Sequence, residues 1–274
     1  MWYLRLKRKP PFAYKTIVLT GAASGIGRAL LTQWSSRPLR ILAVDVDGER
    51  LAAVAQSLSG VQADITTLAI DLSQPDNLEH LFDEAVKRLG SLDLFIANAG
   101  FAYYEQLEAV DWDRLDRIYR VNVFSPMAAA VKMKQLNGVR PYKVVITASA
   151  MAYLALPGYA VYAATKAALH RFAQGYRLEL DDPHRLVLVY PIATRTNFFS
   201  AAARRTAPVA WPSQTAEKVA QAIISGIEQN RQAIYPSRLF ATYLVLERFF
   251  PALGYVVQWP DRWKFKRWLR DGSR

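Results

Sequence analysis

The chain is expected to fold as α/β: a single doubly wound parallel sheet of about seven strands, with helices on both faces and a helical C-terminal extension. Three observations predict it. Short apolar runs of strand length alternate with helical stretches from about residue 15 to 235. The first of these runs is continuously apolar and β-branched, the mark of a strand buried on both faces of a parallel sheet. With 274 residues, 52% of them hydrophobic, the chain can bury one large core.

Lys15 to Thr20 is the first strand, bounded by Gly21. Gly21-Ala-Ala-Ser24-Gly25-Ile26-Gly27 follows, and Arg28 to Trp34 has helical character. Glycines in such a turn allow the backbone to approach a pyrophosphate, which the N–H groups of the helix start then stabilise. Leu39 to Val44 reads as a second strand ending at Asp45, 18 residues after Gly27. Dinucleotide folds place an acid there to bind the adenosine ribose, and a carboxylate repels a 2′-phosphate. Val46, Ala23 and Ser24 supply no compensating cation, so NAD is expected in preference to NADP. The alternative for Asp45 is the N-cap of the helix that follows.

A third strand, Ile65 to Ile70, ends at Asp71-Leu72; a helix runs from Pro75 to Leu89; a fourth strand, Leu92 to Ala97, ends at Asn98-Ala99-Gly100. Asp111 to Lys134 reads as one long helix with a buried stripe of Trp112, Leu115, Ile118, Tyr119, Val123 and Met127, and Asn122 set against it. Tyr142 to Thr147 is a fifth strand, delivering Ser149 to the carboxyl edge of the sheet. A sixth, Arg185 to Val189, ends at Tyr190-Pro191, and a seventh, Gln232 to Tyr235, follows a helix over 215–228. The irregular stretch from Ile192 to Pro212, with Phe198 and Phe199, is a candidate lid.

Between Ser149 and the fifth helix's end lies the most telling stretch. After Pro157 and Gly158, helical spacing puts Tyr162 and Lys166 four apart on one face. A free phenol has a pKa of about 10, and an ammonium held beside it is expected to bring it down and make it an acid/base catalyst. A surface Tyr–Lys pair is the plainer alternative.

Composition narrows the function further. There is no cysteine, which rules out disulfides and thiolate chemistry, and His80, His170 and His184 form no ligand pattern, so no metal site is expected. The net charge of +12 is concentrated at the two ends: residues 1–15 carry five Lys/Arg and no acid, and residues 236–274 carry eight against three. A nearly neutral body disfavours a nucleic-acid groove. Basic ends with Trp and Phe fit an anionic membrane surface. No secretory signal is readable. Leu239 to Trp259 is long enough to span a bilayer, but Glu247, Arg248 and Pro251 interrupt it, so an amphipathic, peripheral segment is expected.

Taken together, Thr20-Gly-Ala-Ala-Ser-Gly-Ile-Gly27, Asp71-Leu72, Asn98-Ala-Gly100, Asn122, Ser149, Tyr162-Ala-Ala-Thr-Lys166 and Pro191-Ile-Ala-Thr194-Arg-Thr196 closely resemble the short-chain dehydrogenase/reductase family in its compact, Rossmann-like form. The resemblance implies cofactor binding by Gly21, Ser24, Gly25, Ile26, Gly27, Asp45, Asp71, Leu72, Asn98, Ala99, Gly100, Tyr162, Lys166, Pro191, Thr194 and Thr196. It implies catalysis by Tyr162 as general acid/base, Lys166 holding the nicotinamide ribose, Ser149 on the substrate oxygen and Asn122 anchoring a water path to Lys166. Ser149 as a cap and Asn122 as a kink residue are the structural alternatives. Ile192 stands where the family has glycine, which puts the local cofactor contact in doubt.

The expected function is thus oxidoreduction of an alcohol and a ketone or aldehyde on a hydrophobic substrate; a membrane-associated nucleotide-binding scaffold is the alternative. Residues 1–14 read as a basic N-terminal segment, 15–236 as the catalytic domain, and 237–274 as an extension that packs on the domain, on a second subunit, or on a membrane. A homodimer or homotetramer through the helices bearing Asn122 and Tyr162 is the family's pattern. The expected location is cytoplasmic, with attachment at the inner membrane surface as an option.

Overall fold

A computed structural model describes residues 12–196, 198 and 212–271. The N-terminal basic segment and most of the candidate lid, including Phe199, lie outside the described residues. In chain order the elements are β1 (Thr16–Thr20), α1 (Gly25–Trp34), β2 (Arg40–Asp45), α2 (Gly48–Ser57), β3 (Asp64–Ala69), α3 (Asn77–Leu89), β4 (Leu94–Ala97), α4 (Trp112–Tyr119), α5 (Ser125–Asn137), β5 (Lys143–Thr147), α6 (Ala160–Tyr176), β6 (Leu186–Val189), β7 (Thr194–Arg195), β8 (Gln214–Thr215), α7 (Ala216–Glu228), β9 (Ala233–Ile234), α8 (Arg238–Phe249) and α9 (Leu253–Arg270).

Seven strands form one sheet in the order β3-β2-β1-β4-β5-β6-β9, and every pairing is parallel. The order reverses beside β1, so the carboxyl ends of β1 and β4 diverge around a crevice, the place where open α/β sheets bind ligands. Successive side chains on a strand point to opposite faces, and the core divides accordingly. Ile17 and Leu19 pack with α1, α2 and α7 on one face; Val18 packs with α3, α5 and α6 on the other. A short second sheet pairs β7 with β8.

Two expectations are corrected. The single helix over Asp111 to Lys134 is divided: α4 leads into a π-helical turn over Arg120–Phe124 before α5. Pro126 explains the break, because it has no N–H to give the carbonyl four residues back, that of Asn122. Trp112 is not part of the buried stripe; it is 77% exposed in the first turn of α4, just after the Asp111 cap. Ile118 and Val123 are buried as expected.

The sheet's centre rests on rings as well as aliphatic packing: Phe82 of α3 and Phe95 of β4 are stacked with centroids 5.2 Å apart, and both are almost fully buried. Phe95→Ala should therefore cost about 3–5 kcal/mol of stability, measured as a fall in the denaturation midpoint with little change of slope.

Candidate active site

The turn after β1 is held open by its neighbours' polar groups. Thr20 Oγ1 donates to Ile96 O at 3.2 Å and accepts from the N–H groups of Asn98 and Ala99, both at 3.0 Å. Asn98 Nδ2 donates to the carbonyls of Thr20 and Gly21, each at 3.2 Å, while its Oδ1 accepts from Thr147 Oγ1 at 3.2 Å. A Cβ at Gly27 would stand 1.9 Å from Gly21 O, so the turn can close this tightly only on glycine. Ser24 precedes α1 without a side-chain cap, which leaves the first-turn N–H groups for a ligand.

At the end of β2, Asp45 accepts from Ala23 N at 2.9 Å and Asp47 N at 3.1 Å. The cap of α2 is Asp47, which accepts from Arg50 N at 3.0 Å; Asp45 is thereby relieved of the capping role. Asp71 accepts from Ser73 N at 2.9 Å and shares the same end of the crevice with Leu72.

The second half of the site is buried. Tyr162 and Lys166 lie one turn apart on α6, and Ser149 sits just past β5; all three are under a tenth exposed. Lys166 Nζ donates to Thr147 O at 2.9 Å and lies 5.5 Å from the Tyr162 ring centroid. The expected lowering of the phenol's pKa by the ammonium is not what the structure gives. Burial pushes Tyr162 up to about 12, opposed by a hydrogen bond with Ser149, and pushes Lys166 down to about 8. In a low-dielectric site the cost of desolvating the charged form is the largest effect on each group.

The structural readings of Ser149 and Asn122, as a cap and as a residue of a helix break, are met. Ser149 Oγ accepts from Met151 N at 3.1 Å, capping a short turn, while it also meets Tyr162. Asn122, in the π turn, accepts from Phe101 N at 3.1 Å and donates to Phe101 O at 2.8 Å and Thr165 Oγ1 at 3.2 Å. A Cβ on Gly100 would lie 3.1 Å from Asn122 Oδ1 and 3.6 Å from Lys166 Nζ, so the bare Gly100 backbone separates the two.

One cavity of about 810 Å³ joins these groups. Every candidate residue read from the sequence lines it except Gly27, which shapes the turn from behind, and Asn122, which acts through Phe101 and Thr165. Three features escaped the sequence reading. The role of Thr20, already named in the motif, as the hub of the turn is the first; the second is Arg50, at the Asp45 end of the cavity and paired with Asp47 at 3.5 Å. The third is α8 and α9, which wall the Tyr162 end of the cavity through Phe240, Tyr243, Val257, Pro260, Asp261 and Lys264. Their aromatic richness was visible, but not which face meets the cavity. Ile192 lines the cavity and packs against the core; its carbonyl accepts from Thr194 Oγ1 at 2.9 Å. Phe198 packs on Tyr162, centroids 5.5 Å apart.

Comparison with known proteins bears on the family and the fold. A family model described as short chain dehydrogenase matches residues 15–207. A 1-deoxy-11-beta-hydroxypentalenate dehydrogenase of Streptomyces avermitilis is 35% identical over 181 residues, 64% of this chain and 67% of that protein. Among solved structures, a short chain dehydrogenase/reductase of Burkholderia phymatum in complex with NAD superposes with a TM-score of 0.76 at 22% identity, over 89% of this chain and 96% of that one. A short-chain dehydrogenase of Sphingobium yanoikuyae in complex with NADPH gives 0.73 at 24%, over 88% and 95%. At those identities the structural likeness is one of fold.

The buried lysine makes stability pH-dependent. Its pKa falls from 10.5 when unfolded to about 8 when folded, so between these values the unfolded chain binds more protons and stability rises with pH, by up to about 1.4 kcal/mol per unit. Below about pH 8 the lysine is charged in both states and its contribution is flat. Urea titrations of the chain and of Lys166→Met across this window should show that rise in the first and not in the second.

Proposed function

The chain belongs to the short chain dehydrogenase family, and from that premise we propose that it interconverts an alcohol and its ketone or aldehyde on a hydrophobic substrate, with NAD as the preferred cofactor. The carrying observation is that Tyr162, Lys166 and Ser149 are buried together in the wall of the cavity whose other end is the glycine turn. Holding a phenol and an amine out of water costs stability, and such perturbed pairs concentrate where chemistry is done.

The residues present suit a nicotinamide dinucleotide. The uncapped start of α1 and the bare turn at Gly21 and Gly27 would take the pyrophosphate, Asp45 the adenosine ribose, Asp71 and Leu72 the adenine end, and Lys166 with Thr194 and Thr196 the far end. Such a cofactor supplies or accepts the hydride. Ser149 Oγ would hold the substrate oxygen, and the Tyr162 hydroxyl would move its proton. A phenol pushed up to about 12 is protonated at neutral pH, so its resting form suits donation to a carbonyl oxygen as that is reduced. In oxidation the same oxygen must receive the alcohol proton, and rising pH favours that direction. Asn122 acts as a positioning residue for this centre, through Phe101 and Thr165.

NAD is favoured because Asp45 sits at the ribose end and Arg50, the nearby cation, is engaged by Asp47. The hydrophobic substrate is favoured by the apolar wall of Phe101, Met151, Leu154, Phe198, Phe240 and Val257. The dimer or tetramer belongs to the same reading, with the exposed Phe124 and Val131 as apolar contact positions on the helical run that bears Asn122.

A screen of alcohols and ketones followed by nicotinamide absorbance tests the activity, and a protein that binds nucleotide but turns over none of them would speak for a scaffold instead. Tyr162→Phe should lower turnover by about 10²–10⁴ with cofactor binding retained; unchanged turnover would remove the tyrosine from the chemistry. In titrations of both cofactors, Asp45→Ala should narrow the gap between NAD(H) and NADP(H), and tighter NADP(H) binding by the unaltered chain would reverse the assignment.

A further inference from the structure

Half of the large apolar side chains left exposed among the described residues belong to α8, α9 and the turn joining them. On α8, Leu239, Val245, Leu246 and Phe249 recur on one helix face, and on α9 Tyr255, Val256, Trp259 and Trp263 do the same. The opposite faces are the ones with partners. Phe240 is buried near Tyr153 and Tyr235, and Phe265 and Trp268 pack on Tyr104 with centroids 5.7 and 4.8 Å away. The helices are thus fixed to the domain by their inner sides, and what remains outward is their apolar side.

The outward face of α9 is also basic. Arg262, Lys266, Arg267 and Arg270 are exposed on it, mostly beyond the aromatic stretch. The segment's acids are engaged: Glu247 accepts from Tyr243 Oη at 2.7 Å, Asp261 pairs with Lys264 at 2.7 Å, and Asp271 lies 3.9 Å from Arg267. Over residues 236–274 eight Lys/Arg face three acids. Aromatic and aliphatic side chains beside Lys and Arg suit a helix lying in the headgroup region of an anionic bilayer, and no helix among the described residues is long and apolar enough to cross one. A second copy of the chain would bring like-charged faces together.

The patch also reaches the cavity: Leu239 and Val256 are both exposed and both line it. We propose that the outer face of α8 and α9 docks on a lipid surface carrying anionic headgroups, turning the cavity's mouth toward the membrane. Only the consequence, delivery of a lipid-dissolved substrate, rests on the oxidoreductase reading; the docking does not.

Flotation of the full chain with phosphatidylcholine vesicles, with and without phosphatidylglycerol, reads the docking without any turnover. Binding should require the anionic lipid and weaken as salt rises. Lys266→Gln should loosen it about fivefold, from about 1 kcal/mol per basic group at the surface. Trp259→Ser with Trp263→Ser should abolish it, with circular dichroism and nucleotide binding unchanged because neither tryptophan lines the cavity. Absence of flotation, or flotation indifferent to both lipid charge and these substitutions, overturns the proposal. So does a dimer seen by light scattering that the tryptophan pair dissociates, which would assign the face to a second copy.

Discussion

One chain of hydrogen bonds ties the two halves of the site together. Lys166 on α6 donates to the carbonyl of Thr147; the hydroxyl of Thr147 donates to Asn98; and the amide of Asn98 holds the carbonyls of Thr20 and Gly21 at the start of the nucleotide turn. Each link lies between strand ends of the sheet or between a strand end and α6, where unsatisfied polar groups are costly. The distance between the amine and the turn is therefore set by the spacing of β1, β4 and β5, which backbone hydrogen bonding fixes.

Burial gives the line its chemistry. In water a phenol and a primary amine would titrate at their usual values; here the same desolvation shifts both toward their neutral forms, the phenol up to about 12 and the amine down to about 8, so that the lysine still carries its charge at neutral pH. The amine is spared an unpaired proton by Thr147, and the phenol is met by Ser149. Asn122 stands behind them, and the π turn that presents it follows from a proline in the wrong place for an α-helix. The interruption thus seats an amide between Phe101 and α6, where a regular helix would have continued past.

The C-terminal helices change what kind of cavity this is. Without α8 and α9 the crevice would be open beyond Tyr162; with them it gains an apolar far wall carrying one Asp261–Lys264 pair. The attachment of α8 runs through Phe240 to Tyr153 and Tyr235, and that of α9 through Tyr104, whose ring also lies 4.7 Å from that of Tyr159, three residues before Tyr162. The extension is in this way part of the wall of the cavity that holds Tyr162 and Lys166, while its other side stays uncovered.

The alternation of strands and helices, the glycine turn, the acid after β2 and the Tyr–Lys spacing were all legible in the residues. Each depends on a local rule: period, backbone freedom, or one helical turn. The same rules misjudged Trp112, because helical periodicity does not say which end of a stripe runs past the core, and they joined α4 to α5 because the proline's effect was not weighed. The direction of the pKa shifts was beyond them too, since a neighbour's charge can be read from spacing but the depth of burial cannot. Nor could they say which face of the tail meets the cavity. Amino-acid order by itself determined the sheet, the turn and the candidate groups; only the tertiary structure decided Thr20 as the hub, burial as the dominant electrostatic effect, and α8 and α9 as a wall. Those are properties of atoms brought together from distant parts of the chain, and no local pattern encodes them.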